Sequence, residues 1–181
     1  MSAFIVPRAV ATGQVETWTN IFARIDHKII SELIRAALRL LPADDTLEGV
    51  TARREKERLR AAEALLAEQE FCEDFRRLGY DFVNQDQQQG KFTITPDLRF
   101  NKPTLICGHM CYWLEFKDFF GFRKNPFVEN KNKKQLRKYA AEIGPGAIVY
   151  KLGFEIGHIN IEGVKSLREQ EVRQSLVMQM N

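Results

Sequence analysis

The chain has 181 residues, 44% apolar and 28% charged, with only 11 glycines and 6 prolines; this is the composition of one folded domain and excludes disordered, fibrous and low-complexity classes. No stretch approaches the roughly 20 apolar residues of a membrane span, the first residues lack the apolar core of a secretory signal, and three cysteines are too few for a disulfide framework. The expectation is an intracellular protein, nuclear or cytoplasmic, with no membrane contact. The net charge is only +3, but Lys117 to Lys138 alone holds eight Lys or Arg against Asp118 and Glu129, a local +6 that leaves −3 for the remainder. Such a segment points to a polyanion met at one place.

In chain order, Trp18, Phe22, Ile25, Ile29, Leu33 and Ile34 recur at spacings of three and four, which predicts an amphipathic helix from Val15 to Leu41, ending near Pro42. Its apolar stripe is expected to pack on a second helix, about 51–78, whose early charged half faces solvent, the alternative being that a partner protein or a second copy completes it. Strand-like runs follow at 80–83, 92–100 and 111–117, separated by a Gln-rich turn and by Asn101-Lys102-Pro103, as in an antiparallel meander. A helix over 133–143 is stopped by Gly144-Pro145-Gly146, and 147–152 reads as a strand buried on both faces. The order gives an α/β or α+β domain. The expected organisation is an N-terminal helical extension over 1–48, a core over 49–165 and a polar tail over 166–181, helical in part.

Residues two apart on a strand share a face, so Trp113, Glu115 and Lys117 point one way while Leu114 and Phe116 point to the core. A carboxylate beside an ammonium can hold a hard cation next to a phosphate or a water, although Glu-x-Lys on a strand is more often a surface ion pair. Thr95-Pro96-Asp97 opens a neighbouring strand, and Asp97 can reach the same ion. On a helical wheel Ala64, Leu65, Phe71, Cys72 and Phe75 lie within about 60° of Glu68, which places a carboxylate on an apolar face. There it is costly unless paired, protonated or bound to metal. Gln135 and Tyr139 stand one turn apart beside Lys134 and Lys138. Cys107, His109 and Cys111 have no second pair at a zinc-site spacing, and His27 and His158 receive no role.

Taken together, Glu68, Asp97, Glu115-x-Lys117 and Gln135-xxx-Tyr139 resemble the PD-(D/E)XK nuclease superfamily. The nearer resemblance is to its TPD-domain branch, the codanin-interacting nuclease group. It rests further on Gln85-Asp86-Gln87, Thr95-Pro96-Asp97, Gly108-His109-xxx-Trp113, Phe120-Gly121 and Gly144-Pro145-Gly146-x-Ile148-Val149-Tyr150, and covers about residues 65–155. Phe116 departs from the pattern, standing where that family carries a small polar residue, and the N-terminal helical region is shorter than in longer relatives.

The resemblance implies an α/β, restriction-endonuclease-like core, a mixed sheet flanked by helices, and a Mg²⁺- or Mn²⁺-dependent nuclease acting on DNA before RNA. It implies that Asp97, Glu115 and the Phe116 carbonyl bind the metal with Glu68 as a further contact. Lys117 would position or deprotonate the attacking water, while Gln135 and Tyr139 brace the site. His109, Lys124, Lys131, Lys133, Lys134, Arg137 and Lys138 would face the nucleic acid, where phosphate contacts position the strand without reading sequence. A codanin-like protein is the second implied partner, and association of two copies stays open. The rival reading is a nuclease fold kept as a scaffold for that partner, because fold alone does not settle activity.

Overall fold

A computed structural model describes residues 27–38, 41–123 and 129–178. The elements are α1 (His27–Leu38), α2 (Leu47–Arg77), β1 (Phe82–Asn84), α3 (Gln85–Gln88), β2 (Leu98–Ile106), β3 (His109–Lys117), α4 (Glu129–Glu142), β4 (Gly146–Tyr150), β5 (Val164–Arg168) and α5 (Glu169–Met178). The five strands form one mixed sheet in sequence order. β1, β2 and β3 pair antiparallel, whereas β4 runs parallel to β3 and β5 parallel to β4. The α/β class with a mixed sheet between helices and an N-terminal helical region is therefore met.

Alternation along the strands sorts side chains into two layers. Leu114 and Phe116 of β3, with Ala147 and Val149 of β4, meet Phe71, Cys72 and Phe75 of α2 and Val172 and Leu176 of α5. Trp113, Ile148 and Tyr150 meet Leu136 and Tyr139 of α4 on the opposite face. α2 starts one turn earlier than the sequence suggests because Thr46 caps it, its hydroxyl accepting from the Gly49 N–H at 3.1 Å. Its core contacts begin only at Ala67, and Leu65 is 52% exposed, so the apolar face is shorter than the wheel predicts.

Three differences from the sequence reading have local causes. The hairpin turn lies not at Asn101-Lys102-Pro103 but at Cys107-Gly108, where both residues have positive φ (47° and 72°) and close a two-residue loop between Ile106 and His109. Pro103 instead falls where the β2–β3 register shifts, between Arg99 and Thr104, a place that tolerates a missing N–H. Residues 166–178, within the stretch expected as a polar tail and helical in part, join the sheet and the core. The first of these complete β5, and α5 buries Val172 and Leu176, four residues apart, in the core. Trp18, Phe22 and Ile25 of the N-terminal stripe lie outside the described residues. α1 buries none of its side chains, with Leu33 and Ile34 about half exposed. No described helix is long and apolar enough to cross a membrane.

Candidate active site at the end of β3

β3 pairs with β2 on one side and β4 on the other, so its C-terminal end is held from both edges. Asp97, one residue before β2, stands opposite this end. Its Oδ2 accepts the Phe116 N–H at 2.6 Å. The N–H and C=O of a strand residue lie on the same edge, so the Phe116 carbonyl also faces the Asp97 side. Behind it, the Phe116 ring stacks on Phe71 of α2, centroids 4.8 Å apart, and this fixes the backbone at that point. The bulky residue at this position therefore serves the core.

Glu115 Oε1 is the hub. It accepts from Lys117 Nζ at 2.6 Å and from Gln135 Nε2 at 2.9 Å, and the same amide donates to the Tyr139 hydroxyl at 2.6 Å. The i, i+4 spacing of Gln135 and Tyr139 on α4 thus delivers one brace to a strand twenty residues away in sequence. Tyr139 is itself wedged edge-on against Trp113, whose indole N–H donates to the Gly144 carbonyl at 2.8 Å. Glu115 is 2% exposed and its second oxygen, Oε2, is buried without a hydrogen-bond partner.

Burial and like charges act together on the ionisable groups of the site. Burial raises the Asp97 carboxyl well above its ordinary range, and the Glu115 and Glu68 charges raise it further against the opposing pull of Lys117 and the Phe116 N–H. Glu68 is raised by burial, then by Glu115, with Lys117 opposing. Burial alone would depress Lys117, but the Glu115 and Asp97 charges outweigh it and hold the ammonium protonated. Tyr139 is raised by burial and by Glu115, so it stays a neutral phenol. Three carboxylates in mutual contact through their fields and one ammonium leave a formal charge of −2.

A divalent cation is what the resemblance implies, and the donor set suits it. The oxygens are hard, two come from carboxylates opposite each other at a strand end, one backbone carbonyl lies on the same edge, and Glu115 Oε2 is an orphaned buried acceptor. Among the described residues no three His, Cys, Asp or Glu side chains form a closed ligand cluster, so Glu68 acts on Asp97 and Glu115 from a greater distance.

The remaining sequence candidates separate. On α4, Lys131, Lys134 and Lys138 are exposed and, at spacings of three and four, form a ridge beside the Gln135 edge. Lys138 lies 4.0 Å from Glu142. Arg137 is exposed on the far side of α4, Lys133 is half-buried, and Lys124 lies outside the described residues. His109 stands at the other end of β3, about 20 Å from Glu115 at the rise of a strand. Its Nε2 contacts the Gly146 and Gly163 carbonyls at 3.1 and 3.3 Å, so the ring clips main chain there rather than orienting a site carboxylate. Cys107 and Cys111 beside it are free thiols, and burial pushes Cys111 up to about 12. One positioning residue escaped the sequence reading. Gln88, fully buried, donates to the Val83 and Pro96 carbonyls at 3.1 and 2.7 Å and so fixes the segment that carries Asp97. Its signal, a Gln within a Gln-rich turn, is indistinguishable from its neighbours.

Comparison with known proteins places these observations. The sequence model of a family described as "Protein of unknown function TPD sequence-motif" matches residues 36–172, which contain every site residue above. A curated zebrafish (Danio rerio) protein, "CDAN1-interacting nuclease 1", is 29% identical over 82 residues, 44% of this chain. The matched stretch spans about a quarter, 26%, of that protein's length. No solved structure matches the chain significantly.

Proposed function

The chain belongs to the TPD sequence-motif family, and from that premise, joined to the charge balance of the site, we propose that it is a metal-dependent nuclease acting on DNA or RNA. The observation that carries the reading is the pair of buried carboxylates, Asp97 and Glu115, with the half-buried Glu68 acting on them through its charge, beside the Lys117 ammonium and with Glu115 Oε2 unpartnered. A fold alone has no need to hold carboxylates where each raises the free energy of the next. The name of the zebrafish relative, which calls it a nuclease, supports the same class.

In this reading Asp97, Glu115 and the Phe116 carbonyl would hold Mg²⁺ or Mn²⁺, with Glu68 acting through a bound water or a second ion. When bound, the ion supplies Lewis-acid activation of water and neutralises phosphate charge. Lys117 Nζ, kept protonated by Glu115 and Asp97, donates to the phosphoryl oxygens as charge develops on them. An ammonium has no lone pair, so in this charge state Lys117 orients the attacking water rather than taking its proton. Gln135 and Tyr139 hold Glu115 Oε1 in place. The ridge of Lys131, Lys134 and Lys138 binds phosphates along the strand.

The test is incubation with single-stranded, duplex and branched DNA and RNA in Mg²⁺ or Mn²⁺. Cleavage that is lost in Asp97→Ala and Lys117→Ala supports the reading. A wholly uncleaved panel, with no metal bound, would move it to a binding subunit for a codanin-like protein, for which the half-exposed Leu33, Ile34 and Leu38 of α1 are the specific observation.

A further inference from the structure

Beside the candidate site a cleft of about 400 Å³ opens between α1, α2 and the chain leaving β3, and the site residues Glu68 and Lys117 are part of its lining. Its wall carries Phe119, Phe120 and Phe122. Resting on the nuclease reading and deepening it, we propose that this cleft is a nucleobase-stacking subsite, so that the substrate is a single-stranded or frayed nucleic acid whose base next to the scissile phosphate turns onto these rings.

The wall is built rather than incidental. Gly121 donates its N–H to the Gly153 carbonyl at 2.9 Å and accepts from the Glu155 N–H at 3.0 Å, which locks the segment to the loop after β4. A Cβ at Gly121 would come within 2.8 Å of Phe154, 3.0 Å of the Tyr150 ring and 3.1 Å of His158. Only glycine permits that approach, and on either side of it Phe120 and Phe122 bring their rings into contact, centroids 4.7 Å apart and planes tilted by 55°. Phe119 is anchored edge-on to Tyr150. Phe120 and Phe122, by contrast, belong to neither core cluster. Two partly open aromatic rings held rigidly beside a reactive centre, and not spent on the core, are a stacking platform.

Charge selects the occupant. The cleft is lined by Arg35, Arg60 and Lys117 against four carboxylates, and Arg35 is already paired with Glu32 at 2.5 Å. Such a lining does not draw phosphate. Three exposed lysines, Lys131, Lys134 and Lys138, stand together on the α4 ridge, so the backbone belongs there and the uncharged π-face of a base belongs in the cleft. Paired bases in a duplex are covered on both faces by their neighbours, and only an unstacked base can offer its face.

The test is equilibrium binding by fluorescence anisotropy in EDTA, where nothing is cut, using labelled oligothymidine, oligouridine, an abasic strand with the same number of phosphates, and a blunt duplex. The base-carrying strands should bind about tenfold tighter than the abasic one, the contribution of one stacked base. Phe120→Leu and Phe122→Leu, which keep apolar bulk, should pull the affinity for bases toward the abasic value and leave the abasic value unchanged, whereas Phe122→Tyr should retain it. Equal binding of abasic and base-carrying strands, tighter binding of the duplex, or leucine variants indistinguishable from wild type would overturn the proposal. Base-dependent binding without cleavage in Mn²⁺ would remove the nuclease reading and leave the subsite. Cleavage of duplex and abasic strands at the single-strand rate would do the reverse.

Discussion

Replacing Lys117 by Met keeps most of its aliphatic stem but removes the ammonium that lies 2.6 Å from Glu115 Oε1. Lys117 is 20% and Glu115 3% exposed at the side chain, so the pair is buried, and removing one member of a buried pair costs about 3–5 kcal/mol. Two effects pull against that figure. The desolvation of the ammonium is saved, and Asp97, already raised, can take up a proton so that the cluster loses one charge. The second effect depends on pH and fixes the sign. Between its unfolded and its raised folded pKa, Asp97 binds more protons folded than unfolded, so stability falls as pH rises through that window. Lys117→Met pushes the upper limit of the window higher. Measured from about pH 5.5 to about pH 8, its cost should therefore grow with pH toward the full cost of breaking a buried pair. Glu115→Gln should cost less, about 1 kcal/mol, because it relieves the repulsion on Asp97 and Glu68 while the amide oxygen can still accept from Gln135. Urea unfolding of both variants in EDTA across this pH range measures the difference. A Lys117→Met no less stable than Glu115→Gln, or a pH slope no steeper than wild type, would refute the charge argument.

Further outcomes follow from other contacts. In Gly146→Ala the new Cβ would lie 2.3 Å from the Trp113 ring, which its hydrogen bond to Gly144 holds in place; a loss of about 3 kcal/mol or more is expected in urea unfolding, with the near-ultraviolet signal of Trp113 altered. Gln88→Leu leaves the Val83 and Pro96 carbonyls unsatisfied and should cost about 2 kcal/mol, with weaker Mn²⁺ binding in calorimetry because the segment before Asp97 is released. Neutralising Lys131, Lys134 and Lys138 together should lower affinity for all nucleic-acid sequences and reduce the slope of log K against log salt by about two to three, measured by anisotropy at several salt concentrations.

How much was legible in the sequence follows the range of the interactions. The period of two along 113–117 assigns Leu114 and Phe116 to the core and Glu115 and Lys117 to the site, and the i, i+4 spacing of Gln135 and Tyr139 is what lets one amide reach both Glu115 and the phenol. These are local rules and they carry over. The hairpin turn did not, because Asn101-Lys102-Pro103 has turn composition while the deciding property at Cys107-Gly108, positive φ at two successive residues, is weakly signalled by a cysteine. His109 reads as a polar site residue until β3, β4 and β5 are aligned, when Gly146 and Gly163 present their carbonyls to its ring. β5 and α5 were missed as core because Val164–Arg168 is a short edge strand with little apolar alternation. Its burial comes from pairing with β4 and from Val172 and Leu176 above it.

The central claim, that Asp97 and Glu115 share a divalent cation, is tested most directly by calorimetric titration of Mn²⁺ into the metal-free protein at neutral pH in two buffers of different ionisation enthalpy. Saturable binding that releases protons is expected, because the ion favours the ionised form of a carboxyl whose proton affinity is raised by burial and by the Glu115 charge, together with loss of that binding in the Asp97→Ala, Glu115→Ala double variant. Equal binding by wild type and double variant, or no binding at millimolar Mn²⁺, would contradict it.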